Sequence, residues 1–507
     1  MNNPSFKELL YCYSLDTWLD SEAEEVTSLV THVYQGFFGH ELERNSSKTL
    51  EVLKVLLLNL YSGSLSDPKL WLRYSRDENF YASSNRYLTS GFSYSAFVTK
   101  VIPGLTRLKL IRDQKGFYDR REFGDAFQAR MKPTAKLLKL FQDYQWQPSM
   151  MFHSPDREVI HLKNSDKKYV SYKDDDFTRN AREQLQHINR HLAAAVIDVD
   201  LDDGQIETLY GYLRKSHEDD FDDHSKYLSF FTRKTLYRIF SNSSWKQHGR
   251  FYGGFWMSLP ERHKTKENGE FVITSLRYRD SISINHQITT ELDYSSFHPK
   301  MIYDLEGLDL SGDPYEGIGD LDRDHGKTIF NIMINSKDME IAQAAYRQDY
   351  QDENVTKVAS KEAIKCVLEA HPLIRKHFFT GLGLKLMNLD SNIANNVMLR
   401  SIDEHGTVVL PVHDSFICIL DFEEDLKKIM REEYMTVMNA HVPPRISMKE
   451  SEWYLPIEAR RNIKKMHEKN PPKSSQRTYP WRRQQLIKMA MAAREKYEIQ
   501  FNDDIGD

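Results

Sequence analysis

TTELDYSSFHPKMIYDLEG, Thr289 to Gly307, sets the problem. Its apolar residues alternate up to Asp293, which predicts a half-buried strand, and the spacing after Pro299 predicts a helix. Asp293 therefore stands at the tip of a strand, just before a Tyr-Ser-Ser turn. An aspartate at such a place is commonly only a turn former. A second one changes the reading. In GTVVLPVHDSFICILDF, Gly406 to Phe422, two apolar runs flank His413-Asp414-Ser415, which predicts a β-hairpin with Asp414 at its turn. Two carboxylates at one edge of a sheet form a hard-oxygen site suited to Mg²⁺, which takes one or two carboxylates and completes its shell with water and phosphates. With two ions, one activates a hydroxyl while the other stabilises a leaving pyrophosphate.

Outward from this pair, the pattern is helical from about 321 to 400. Before it, the polar, glycine-dotted SNSSWKQHGRFYGG opens a middle region in which the period falls towards two between Ile282 and Leu292. The first 226 residues read as mostly helical, with apolar residues three and four apart in KTLEVLKVLLLNLYSG and NAREQLQHINRHLAAAVI. The expected division is residues 1–226 as a helical region, 227–456 as an α+β region, and 457–507 as a basic tail.

LDYSSFHPKM resembles motif A of family A DNA polymerases. VLPVHDSFI resembles motif C, in a His-Asp-Ser-Phe spelling similar to that of single-subunit phage-type RNA polymerases. Between them, in the order the family requires, DRDHGKTIFNIMINSK resembles motif B, with Arg323 and Lys327 four apart on one helix face. Upstream, HGRFYGGFWMSLPERHK is similar to the Gly-Arg-Leu and Pro-x-Arg segment that precedes motif A, and it supplies Arg250 and Arg262. The likeness runs from about Trp245 to Met438. It implies a right-hand polymerase-like palm, an antiparallel sheet with helices, carrying reduced fingers, and a helical N-terminal region serving as thumb or accessory domain.

The resemblance also implies roles. Asp293 and Asp414 hold two Mg²⁺ ions, with Mn²⁺ as a substitute, and Arg323 and Lys327 hold the incoming nucleoside triphosphate. Arg250, Arg262, Tyr294 and His413 contact nucleotide or primer-template, so the expected partner is nucleic acid, a primer-template or a single strand. The family's Tyr-Gly pair in motif B is replaced by Asn335 and Ser336, which touches sugar and template sensing. At the motif A gate stands His298, whose bulk favours deoxynucleotides slightly over ribonucleotides. The short interval from Lys327 to Asp414 leaves template-independent terminal transfer as a variant. A non-catalytic nucleic-acid-binding protein with a polymerase-like palm is the rival from another class.

Other segments carry less. LDSNIANNVMLRSI places Asp390, Asn392, Asn395 and Asn396 on a helix that in the family faces the duplex, while a solvated helix face explains it nearly as well. AAAVIDVDLDDG, with Asp198, Asp200 and Asp202, reads as an acidic turn; its glycine falls one position late for a calcium loop. The tail interleaves Arg460, Arg461, Lys464, Lys465, Arg482 and Arg483 with Tyr479 and Trp481, a composition suited to phosphate contact and base stacking. A phosphate-binding GxxxxGK[ST] loop is absent, so no ATP-driven motor is expected.

Composition sets outer bounds. The 507 residues are 40% hydrophobic and 28% charged, as in ordinary globular proteins, with a net charge of -5. Three scattered cysteines, Cys12, Cys366 and Cys418, suggest neither a disulfide framework nor a zinc cluster. With no signal-like start and no long apolar run, a cytoplasmic protein that stays off membranes is the expectation.

Overall fold

The computed structural model describes residues 12–448, apart from 39–45, 67, 82–85, 88–91, 119–125, 148–149, 155–156, 200, 202–208, 210–232, 260–263, 268–269, 274–277, 286 and 352–353. The basic tail, Arg262, Asp200 and Asp202 therefore lie outside the described residues. The chain forms two compact units. One contains the described residues of Met1–Glu158 and Leu201–Arg233, and the other those of Val159–Asp200 and Lys234–Tyr454.

In the first unit, strand β1 (Cys12–Ser14) precedes helices α1 (Glu24–Phe38) and α2 (Ser46–Ser66). The acidic first turn of α1, Glu24 and Glu25, complements the helix dipole. Along α2, Val52, Leu53, Leu56, Leu57, Leu58 and Leu60 are all buried, so apolar side chains surround much of the helix and it forms the centre of the core. Strands β2 (Trp71–Tyr74), β3 (Ile111–Gln114) and β4 (Ala129–Pro133) follow, then helix α3 (Ala135–Asp143). The sheet order is β1-β2-β4-β3, with β1 and β2 parallel and the other pairs antiparallel. Beside its helices, the N-terminal region thus carries a four-stranded sheet that the sequence reading did not anticipate. Strands of three to five residues are too short to show an alternation that sequence reading can catch.

The second unit begins with β5 (Ile160–Leu162) and α4 (Asp176–Ala194) and resumes at Lys234. A capping box between Asp175 and Thr178 starts α4. Its Asn189 then donates to the Leu236 carbonyl at 2.9 Å and accepts from the Leu236 amide at 2.7 Å, tying the helix to this unit. Next come β6 (Ile197–Val199), β7 (Tyr237–Ser241) and β8 (Ser244–Tyr252). Asn242 and Ser243 both take positive φ, 54° and 52°, the geometry of a tight hairpin turn, so the polar stretch that seemed only to open the region is itself a hairpin.

Strands β9 (Ile282–Ile284) and β10 (Gln287–Tyr294) lead into helix α5 (Phe297–Leu305). Helices α6 (Arg323–Asn335), α7 (Met339–Asp349), α8 (Lys357–Ala370) and α9 (Gly383–His405) fill the predicted helical interval. The unit closes with β11 (Leu410–Val412), β12 (Ser415–Ile419), α10 (Glu423–Met438) and β13 (Ile446–Met448). The main sheet runs β6-β9-β10-β12-β11, antiparallel throughout, and β13 also pairs with β10. Mixed α and β structure around an antiparallel sheet is thus observed in this unit. Among the described residues no helix is long and apolar enough to cross a membrane.

Candidate active site

Strand β10 is the spine of the site. It pairs with β12 from Thr289 to Asp293, and with β13 from Leu292 to Tyr294, so its C-terminal end is held on both edges. Asp293 faces Ser415 in this register, and the Tyr294 amide donates to the Asp414 carbonyl at 3.3 Å. The two carboxylate-bearing residues are therefore neighbours across adjoining strand ends. Val412 pairs with Ser415, which leaves His413 and Asp414 as the hairpin turn. His413 takes a left-handed φ of 56°, a conformation that costs a non-glycine residue roughly 1–2 kcal/mol. Its side chain is exposed, while Asp293 and Asp414 are half-buried.

Behind this tip lies a buried ion pair. Glu291 precedes Asp293 by two residues and so shares its strand face. Its carboxylate accepts from Arg279 Nε at 3.1 Å and from Ser415 Oγ at 2.6 Å, with both Glu291 and Arg279 buried. Ser415, which follows Asp414, is thereby anchored from below.

A second buried carboxylate organises the flank. Asp390 on α9 accepts from Arg250 Nε at 3.0 Å and lies 3.2 Å from His298 Nε2. Burial works against the Arg250 cation, but Asp390 and, further off, Asp414 hold its charged form above the ordinary range. A neighbour, Arg238 on β7, is buried and donates to the Gly249 carbonyl at 2.7 Å and to Ser391 Oγ at 2.9 Å. Burial pulls its guanidinium down to about 10 although Asp390 opposes the shift. His248, between Ser241 Oγ and Tyr252 Oη, is pushed down to about 4 by burial and by the Arg250 cation.

The motif B residues start α6. Asp322 caps the helix by accepting from the His325 amide at 2.8 Å. Arg323 is half-exposed, paired through Nε with Asp313 at 2.8 Å, and its guanidinium lies 5.6 Å from the centre of the Tyr315 ring. The Tyr315 phenol is raised by burial and, in part, by the charges of Asp313 and Asp414. Lys327 is exposed one turn further on. Asn335 ends the helix, donates to the Asn331 carbonyl at 2.8 Å and lies directly over Gly383; a Cβ at Gly383 would come within 1.8 Å of its side-chain oxygen.

Two expectations change on this evidence. Tyr294 is 3% exposed, its hydroxyl donates to the Met430 carbonyl at 2.6 Å, and its ring is parallel to Phe297 at 4.3 Å. That placement makes it a core residue that ties β10 to α10, not a substrate contact. Asp390 belongs not to a solvated or duplex-facing surface but to the interior. The sequence carries the signal: Leu386, Asp390, Ile393 and Val397 recur at three- and four-residue steps, and all four are buried. Of the acidic turn, Asp198 lies in β6, where its side chain accepts from the Val199 amide.

The donor set suits a hard cation. Asp293 and Asp414 offer oxygen only, and Mg²⁺ needs one or two protein carboxylates when substrate phosphates complete its shell. Among the described residues no group of three or more His, Cys, Asp or Glu side chains is placed to hold a metal by itself.

No family model matches the chain, and no curated protein matches it. Among solved structures it is similar to the POL domain of Pol1 from M. smegmatis in complex with DNA primer-template and dNTP, at 11% identity and a TM-score of 0.27. The alignment covers 83% of this chain and 65% of that one, so the chain spans just under two thirds of that domain's length. An overlap this loose fixes neither fold nor activity.

Proposed function

We propose that the chain is a nucleotidyltransferase that adds nucleotides from nucleoside triphosphates to the 3′-hydroxyl of a nucleic acid, with release of pyrophosphate and with DNA synthesis slightly favoured. The observation that carries this reading is the register of β10 against β12, which brings Asp293 beside the hairpin turn that bears Asp414, at one end of the strands. In this reading the two carboxylates hold Mg²⁺, or Mn²⁺ in its place. When bound, such ions neutralise phosphate charge and acidify an attacking hydroxyl. Arg323 and Lys327 take the triphosphate, the first as a planar fork and the second as a point charge. Arg250 and His298 stand beside the nucleotide, His413 stands near the primer end, and Asn335 lies at the far end of the same helix. Arg262 and the basic tail join the nucleic-acid contacts, and the N-terminal region serves as thumb or accessory domain.

The test is extension of a labelled primer in Mg²⁺ with dNTPs or NTPs, with and without a template, beside Asp414→Ala. Template-directed products in the wild type and none in the variant are expected. Untemplated tails in both template conditions would instead assign terminal transfer. The rival binding-protein reading draws on one observation, that Arg323 is already paired with Asp313. No extension by a folded protein that binds primer-template equally well before and after Asp293→Ala would establish that rival.

A further inference from the structure

We propose that Asp390 is a positioning residue that sets the sugar preference of the site by locking His298 and Arg250 in one arrangement. This rests on the polymerase reading and deepens it. Three elements distant in sequence, β8, α5 and α9, converge on this single carboxylate: Arg250 is 140 residues from it and His298 is 92. The Asp390 side chain is 1% exposed, His298 15% and Arg250 17%. Arg250 Nη2 also lies 3.3 Å from His298 Nε2, so the three groups form a closed triangle.

A buried ion set of this kind is a poor device for stability alone, because packed apolar residues of similar volume do as well. Its distinctive contribution is direction. Charge-assisted bonds fix the plane of a guanidinium and, here, of an imidazole as well. The Nε edge of Arg250 is held by Asp390, while among the described residues its Nη1 makes no hydrogen bond. A small cavity bordered by Arg250, Met257, Asp390, Ser391, Pro411 and His413 shows that the triangle adjoins the hairpin that bears Asp414. A His298 ring free to swing would yield to a ribose 2′-hydroxyl on an incoming triphosphate, whereas a ring pinned through Nε2 keeps its bulk in place. Asp390 itself touches no substrate in this scheme.

The experiment measures kcat/KM for matched dNTP and NTP incorporation in wild type, Asp390→Asn, His298→Ala and the double variant, with urea unfolding to confirm that each is folded. His298→Ala is expected to lower the preference for deoxynucleotides roughly tenfold. Asp390→Asn should lower it to a similar extent, and the double variant no further. A merely structural Asp390 would lower stability or overall rate and leave the sugar ratio alone, and that result overturns the proposal. So does full additivity in the double variant, or an unchanged ratio in His298→Ala. If Asp390→Asn does not fold, Asp390→Glu replaces it with the same expected loss, because the added methylene displaces the charge. A wild type that extends no primer removes the polymerase reading and this proposal together, whereas extension with an unmoved ratio removes this one alone.

Discussion

Asp414 and Glu291 stand close together in one sheet and live in opposite circumstances. Glu291 is buried, bonded to Arg279 and Ser415. Asp414 is half-buried, and among the described residues nothing donates a hydrogen bond to its carboxylate. The first carboxylate is saturated and serves the fold; the second is presented at the edge with its acceptor capacity open. The difference teaches that two acids so close in one sheet can differ wholly in their partners, one spent on the fold and the other left with acceptor capacity for something else.

The sharpest way to break this comparison is to remove either of the two aspartates at the strand ends. Asp414→Ala or Asp293→Ala should lower primer extension by about 10³-fold or more, since charge stabilisation of several kcal/mol is at stake. Thermal unfolding of Asp414→Ala should stay within about 1 kcal/mol of wild type. A large loss of stability there would place Asp414 with the structural acids.

The complementary prediction concerns the saturated pair. Glu291→Ala leaves Arg279 buried without its carboxylate and should cost about 3–5 kcal/mol in urea unfolding. Replacing both, Arg279→Met with Glu291→Leu, should recover most of that. A single variant costing less than about 1 kcal/mol would erase the contrast.

A smaller effect comes from His248. Its folded value of about 4 lies below the ordinary 6.5, so between these pH values the unfolded chain holds a proton that the folded chain lacks. Stability from this group is complete above about pH 6.5 and is lost as pH falls towards 4, an effect of about 2 kcal/mol after allowance for solvent screening. Comparing pH-dependent melts of wild type and His248→Gln isolates it; a variant with the same slope in that window would show another group to be responsible. The smallest change is at the Asp322 cap. Asp322→Ala should cost about 1 kcal/mol and loosen the start of α6, read out as faster amide exchange there.

Much of the second unit was legible because its signals are local. Alternation marks β10, two apolar runs mark the β11–β12 hairpin, and helical spacing marks α6 to α9. The ion pairs were not, because they are made by packing between elements and leave no local pattern. Asp390 meets Arg250 only once α9 packs on β8, and Glu291 meets Arg279 only once the strand is in the sheet. Tyr294 was misread for a related reason: the motif supplied a role, while its hydroxyl partner, the Met430 carbonyl, lies 136 residues away. The β1 to β4 sheet of the first unit escaped notice because each strand is too brief to betray a period.

The double pairing of β10 has a consequence for how the gene can vary. A strand hydrogen-bonded along both sides has no room to slide, and removing one residue from Gln287–Tyr294 would turn Asp293 to the opposite face while unmatching two neighbours at once. Length changes in that octapeptide should therefore be as damaging as losing the aspartate. The segment behaves as a fixed reading frame from which the surrounding chemistry is counted.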